Sequence, residues 1–212
     1  TLNRPFIGKL DGDVHTSRGR YVNCNENYVG LFGCVGAGGT VKNVTIADSY
    51  VSGKVNVGDI CGRNDGGTVE NCTSGCTVKG TGNAVGGICG SNQRGDHVGR
   101  VLNCHNTGKV SGKNRIGGVC GGGDDSTNCY YLDTSAETSK GGTAKTAAEF
   151  KSDYVAYLLQ QALNDAAPGT TAAQVWGQRI GTDDYPVLSS DAAYTVYKPL
   201  KSALGNNRPP KL

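Results

Sequence analysis

The chain has 212 residues, enough for one full domain or a small domain with an appendage, and holds 34 glycines, no methionine, three phenylalanines and only 18% charged residues. That much glycine without a Gly-X-Y period excludes collagen and points to many turns joining short strands. The net charge of +3 is too small and dispersed for a nucleic-acid partner, and no run approaches the ~20 apolar residues of a membrane span, so no membrane insertion is expected.

The chain opens in mid-pattern on Thr1-Leu2-Asn3, without an initiator Met or a signal peptide, and reads as a fragment of something longer. Phe6-Ile7-Gly8-Lys9-Leu10-Asp11-Gly12 comes first. Then one unit recurs. Tyr28-Val29-Gly30-Leu31-Phe32-Gly33 returns as Val57–Gly62, Val85–Gly90 and Ile116–Gly121, with closing glycines 29, 28 and 31 residues apart. After each unit comes a second segment: Thr40-Val41-Lys42-Asn43-Val44, then Thr68–Cys72 and Arg100–Cys104. Weaker copies stand at Arg20–Cys24 and Asn128-Cys129. A third segment recurs as Val51-Ser52-Gly53, Val78-Lys79-Gly80 and Val110-Ser111-Gly112.

Three strand-like pieces per repeat, parted by Gly/Asn/Asp turns, predict a three-sided coil. One such coil cannot bury its apolar side alone. Stacked at ~4.8 Å, the coils form an all-β fold, a right-handed parallel β-helix of about four to five coils over residues 5–133. Equivalent residues then make columns: Leu31, Ile60, Ile88 and Val119; Val51, Val78 and Val110; and an amide ladder of Asn23, Asn43, Asn71, Asn103 and Asn128. The Asn-x-Thr strings at Asn43 and Asn71 fall on this ladder and are read as structure, not as glycan sites.

These motifs resemble the GLUG-motif repeat family, in which Gly-Gly-aliphatic-aliphatic-Gly precedes a Thr/Val-x-Asn-Cys/Val strand, and Phe6–Gly12 is similar to its opening rung. The resemblance implies an extracellular adhesin-like stalk or module, or the N-terminal part of an immunoglobulin A-cleaving metallopeptidase.

Beyond residue 133 the repeat stops. Thr146-Ala147-Ala148-Glu149 fits a capping box. Val155, Leu158, Leu159, Ala162 and Leu163 follow on one helical face, and the helix is expected to end before Pro168-Gly169. Trp176 and Tyr185–Leu188 supply further bulk. The expected division is a solenoid at 1–133, a helix-containing cap at 134–190 that covers the open end of the last rung, and a linker or the start of a following region at 191–212.

Nine cysteines admit three readings. Cys61, Cys89 and Cys120 follow Phe32 in one column, while Cys24, Cys72, Cys104 and Cys129 share another with Val44. A slot that also takes Phe or Val is apolar, so buried core thiols come first. Disulfides between stacked rungs come second, with at least one thiol left over. Zinc comes last, because Cys72-x3-Cys76 lacks a second pair.

No catalytic, cofactor or metal residue is assigned, and no cofactor is expected. His15, His97 and His105 are scattered and read as solvated loop residues. No His-Glu-x-x-His, Gly-x-Ser-x-Gly or phosphate-loop pattern occurs. Asp11/Asp13, Asp124/Asp125 and Asp183/Asp184 read as turn residues, with no carboxylate column for a polysaccharide-cleaving site. Tyr130-Tyr131 and the loop from Ser91 to Gly99 are the expected protrusions toward a host or community glycan or protein. The reading is a non-enzymatic, extracellular or cell-surface bacterial module, monomeric, with two alternatives: an accessory N-terminal region of a secreted metallopeptidase, or a carbohydrate-active β-helix enzyme.

Overall fold

The computed structural model describes residues 4–92, 97–123, 126–137, 141–167, 172–194 and 196. The chain divides into two compact units, Thr1–Ala144 and Lys145–Leu212. The first is a parallel β-solenoid of about four turns.

Its strands stack into four faces. Face 1 runs Lys9–Asp11, Thr40–Lys42, Thr68–Glu70, Arg100–Leu102, Ser126–Thr127. Face 2 is built on Thr45–Gly53 and Thr73–Gly80. Thr16–Arg18 and Tyr21–Asn23 flank it on one side; His105–Asn106, Val110–Ser111, Tyr130–Leu132 and Thr143–Lys145 lie on the other. Face 3 holds Val57–Gly58, Asn83–Gly86 and Asn114–Gly117, and face 4 holds Phe32–Gly36, Cys61–Asp65, Cys89–Asn92 and Cys120–Gly122.

The four faces come from three recurring segments because a bend at Asp59-Ile60 cuts the first segment in two. A flat strand sends successive side chains to opposite sides. At a corner two neighbours can both turn inward, and Ile60 and Cys61 are both 0% exposed. The corner glycines are needed because one coil's backbone lies against the next. A Cβ on Gly62 would sit 2.5 Å from the Tyr28 carbonyl carbon.

Most columns form in register. Val22, Val51, Val78 and Val110 stack, as do Phe32, Cys61, Cys89 and Cys120. Ile60, Ile88 and Val119 are fully buried, but Leu31 is 41% exposed. The reason is a shorter corner. Val29 pairs with Val57 and Phe32 with Cys61, so the first coil has one residue fewer between them, and Leu31 falls out of the aliphatic column.

Asn43, Asn71, Asn103 and Asn128 share a left-handed backbone, with φ of 55°, 50°, 50° and 51°, the region a short polar side chain tolerates best. Asn71 Nδ2 donates to Asn43 Oδ1 at 3.2 Å, and Asn43 Nδ2 donates to Asp11 Oδ1 at 2.9 Å. Asn23 is a correction. Tyr21-Val22-Asn23 pairs with Tyr50-Val51-Ser52 on face 2, so neither Asn23 nor Cys24 joins the expected column. Lys9-Leu10-Asp11 supplies the first row of face 1 instead, with Leu10 beside Val41.

Inside the coil, large and small side chains alternate across the lumen. Ile46, Ser74, Asn106 and Tyr131 occupy one row. A Cβ on Gly87 would run into the Asn106 side chain, and one on Gly118 into the Tyr131 ring. Tyr130 and Tyr131 are therefore not protrusions: they are 9% and 2% exposed, and Tyr131 fills the last coil where Gly118 leaves room.

Strand pairing continues beyond residue 133. Gly141 O accepts from the amides of Val119 and Cys120, and Thr143 N donates to Cys129 O. The second unit begins with the expected capping box: Thr146 Oγ1 accepts from Glu149 N at 3.2 Å and Thr146 N donates to Glu149 Oε2 at 2.8 Å. The helical segment is broken. Helix α1 spans Ala147–Lys151 and helix α2 Tyr154–Asp165, with Asp153 left-handed between them. Phe150, Val155, Leu159 and Trp176 are buried, while Leu158 and Leu163 are half-buried. Gln160 Oε1 takes the amides of Val175 and Trp176, tying α2 to the hairpin of Trp176–Gly177 and Val187–Leu188. Val196 is also buried.

Candidate functional site

Face 2 presents its outward side chains in rows. Residues 73, 75, 77 and 79 look out, while 74, 76, 78 and 80 are buried. One row on that side is Thr16, Thr45, Thr73, His105 and Tyr130, of which His105 and Tyr130 are themselves buried. The next holds Arg18, Ala47 and Gly75, and a third begins with Tyr21, Tyr50 and Thr77. Tyr21 is 71% exposed and stacks on Tyr50, with ring centroids 5.3 Å apart and planes 20° from parallel. Arg18 and Asp48 form an exposed ion pair in the same part of the face. Asp48 and Ser49 are the extra residues that let the longer strand bulge there, where the next coil has only Cys76.

The histidines separate. His15 is exposed, 3.2 Å from Gly12 O through Nδ1, and His97 is exposed. His105 is a correction: it stands in a strand, is 1% exposed, and places Nε2 2.6 Å from Thr73 Oγ1. A hydroxyl on an imidazole is the pairing of a nucleophile with its base. Here both residues are held in rung register and the ring is buried, so the bond ties one coil to the next. Of the loop from Ser91 to Gly99, residues 93–96 lie outside the described residues, while Val98 is exposed and Gly99 packs on Asn64 and Asn92.

Among the carboxylates, Asp11 ends the amide ladder, and its hydrogen bond from Asn43 holds its carboxyl below the usual range. Asp183 pairs with Arg179 at 3.1 Å and Asp184 with Lys151 at 3.0 Å, and Asp124/Asp125 lie outside the described residues. Sequence reasoning missed Asp59. It is fully buried at the corner, where later coils have Gly87 and Gly118, and it pairs with Arg20, whose Nη2 also donates to Asp59 O at 2.7 Å. Burial pushes its carboxyl up despite the guanidinium, and burial beside Asp59 pushes the Cys76 thiol up to about 12. An acid in a glycine slot was the available signal. The tyrosine stack had one too, since Tyr-Val occurs at both 21–22 and 50–51.

All nine cysteines are free thiols, and eight are buried. Cys61, Cys89 and Cys120 pair directly across three coils. Cys72, Cys104 and Cys129 stack likewise, with Cys72 N donating to Cys104 Sγ at 3.3 Å.

A parallel solenoid whose coils repeat a Gly-punctuated corner, a Thr/Val-x-Asn turn and a valine strand defines a class of protein. Residues 81–111, about one coil of the solenoid, match the GLUG motif. A stretch of 117 residues, 55% of the chain, is 28% identical to halomucin from Haloquadratum walsbyi and spans 1% of that protein's length. A crystal structure of a candidate immunoglobulin A1 protease from Bacteroides ovatus shares the fold, with a TM-score of 0.54 and 18% identity over 86% of this chain and 78% of that one.

Proposed function

We propose that the chain is a non-enzymatic, extracellular, adhesin-like module of a larger bacterial surface protein, monomeric in itself, and that it binds a glycan on face 2 around Tyr21, Tyr50, Arg18 and Asp48. The observation that carries this reading is the exposed Tyr21 ring, stacked on Tyr50 near a charged pair. The negative face of an aromatic ring attracts the C–H face of a sugar, and flanking charged groups suit its hydroxyl rim. Coil-to-coil hydrogen bonds, such as those from Asn71 to Asn43 and from Asn43 to Asp11, help build a rigid support for such a face. The match inside a far longer relative supports a modular role.

A glycan array probed with the whole chain tests this. Binding that Tyr21→Ala weakens at least tenfold, with unchanged melting, is the expected result; no binding to any glycan overturns the adhesin reading. The fold likeness to the Bacteroides ovatus protein favours a second reading, an accessory region of a secreted peptidase, and a peptidase domain elsewhere in the full-length gene product would support it.

A further inference from the structure

We propose that each buried cysteine column is a two-electron oxidation site in which the middle residue, Cys89 or Cys104, forms one disulfide with either neighbour and leaves the third thiol free. Cys61, Cys89 and Cys120 are directly paired on adjacent parallel strands and are 0% exposed. In the second column His105 N donates to Cys72 O and Tyr130 N to Cys104 O, which fixes Cys72, Cys104 and Cys129 one coil apart each. Parallel neighbours stand ~4.8 Å apart, within the ~4.4–6.8 Å that a disulfide tolerates between Cα atoms. Residues two coils apart stand at ~9.6 Å, beyond that reach, so the outer cysteines cannot pair with each other.

The oxidant is a disulfide of the glutathione class. Two thiols of a column lose their protons and two electrons, an S–S bond forms between them, and the oxidant leaves as two thiols. The product is neutral, which suits a dry core. A monovalent soft metal ion held by two thiolates would leave a net charge of −1 there, which a dry core disfavours.

Because the thiols are buried, the test opens the coils first. The whole chain is unfolded, refolded in a mixture of reduced and oxidised glutathione, alkylated, and mapped by peptide mass. The wild type is expected to carry two disulfides, each within one column and each including Cys89 or Cys104, with both neighbours found as partners. Cys89→Val and Cys104→Val should each lose one disulfide and leave both outer thiols alkylated. Phe32 and Val44 fill the corresponding slots of the first coil, so valine fits, and circular dichroism checks folding. If a middle variant does not fold, Cys61→Val and Cys120→Val carry the test, each retaining one disulfide through Cys89. A Cys61–Cys120 bond, a bond between columns, or a refolded wild type with nine alkylated thiols overturns the proposal.

Discussion

The first coil and the three that follow share their sequence pattern, yet they pack differently. In the later coils Val57, Val85 and Ile116 each stand four positions before the column cysteine, and the aliphatic residue between, Ile60, Ile88 or Val119, is fully buried. In the first coil Val29 stands three positions before Phe32, and Leu31 is left at the surface. One missing residue at a corner thus moves a leucine from core to solvent while the flanking strands stay in step. Side chains that must point inward set the register, and similarity between strings of letters follows only where the corner lengths agree.

The sharpest way to break this comparison is to put the same charge at both positions. Ile88→Asp buries an unpaired carboxylate between two aliphatic neighbours and is expected to cost about 3–5 kcal/mol, or to abolish the cooperative transition. Leu31→Asp is expected to stay within about 0.5 kcal/mol, because Leu31 already faces water. Urea unfolding of the two variants decides it, and equal losses would place Leu31 back in the core.

A smaller effect sharpens the same point with glycines. Alanine at Gly118 would force its Cβ into the Tyr131 ring, in the core of the last coil. Overpacking of that kind costs typically about 1–3 kcal/mol. At Gly75, on the outward side of face 2, the nearest atom to an added Cβ is 3.8 Å away, an ordinary contact. Gly75→Ala is therefore expected to be neutral to within about 0.5 kcal/mol. Thermal melts of both variants that shift by the same amount would refute the lumen pairing of Gly118 with Tyr131.

How much of this was legible follows from where the information sits. The valine column, the Cys61/Cys89/Cys120 column and four members of the asparagine turn could be read, because each coil repeats the same inward residue at the same step. The fourth face was hidden in the Val-Gly-x-Ile-Cys-Gly string, since a bend leaves no composition mark beyond the glycines already counted as turns. Arg20–Cys24 misled because its letters copy the face 1 motif, while Val22 belongs to the valine column of face 2. Tyr131 was placed outside for want of a view across the lumen: Gly118 makes room for it, and that partnership joins residues from different faces. The outward tyrosine stack needs two strands aligned before either ring means anything. The capping box, a local device, was fully readable, whereas the break at Asp153 carries no Gly or Pro to announce it.

The smallest expected effect concerns how the first coil ends the amide ladder that begins at Asn71. Amide groups pass one hydrogen bond per coil in one direction, from Asn71 to Asn43 and from Asn43 to Asp11. An ionised carboxylate accepts and cannot donate, so this chain of donors stops at Asp11. The Asn43 hydrogen bond comes first among the causes that lower the Asp11 carboxyl, followed by the Asp13 amide at 3.1 Å and Lys42 at 3.1 Å. A carboxyl held lower in the folded state than its unfolded value of about 3.9 adds stability above that value and loses it as pH falls through the folded one. Asp11 is exposed, so the term is small and weakens with salt. In Asp11→Asn this part of the acid dependence should vanish while neutral-pH stability drops only slightly. The direct reading is by nuclear magnetic resonance: the Asn43 side-chain amide should shift with pH at the same midpoint as the Asp11 carboxyl, below 3.9. An Asn43 amide that stays fixed throughout the acid range would mean that the ladder does not end on Asp11 in solution.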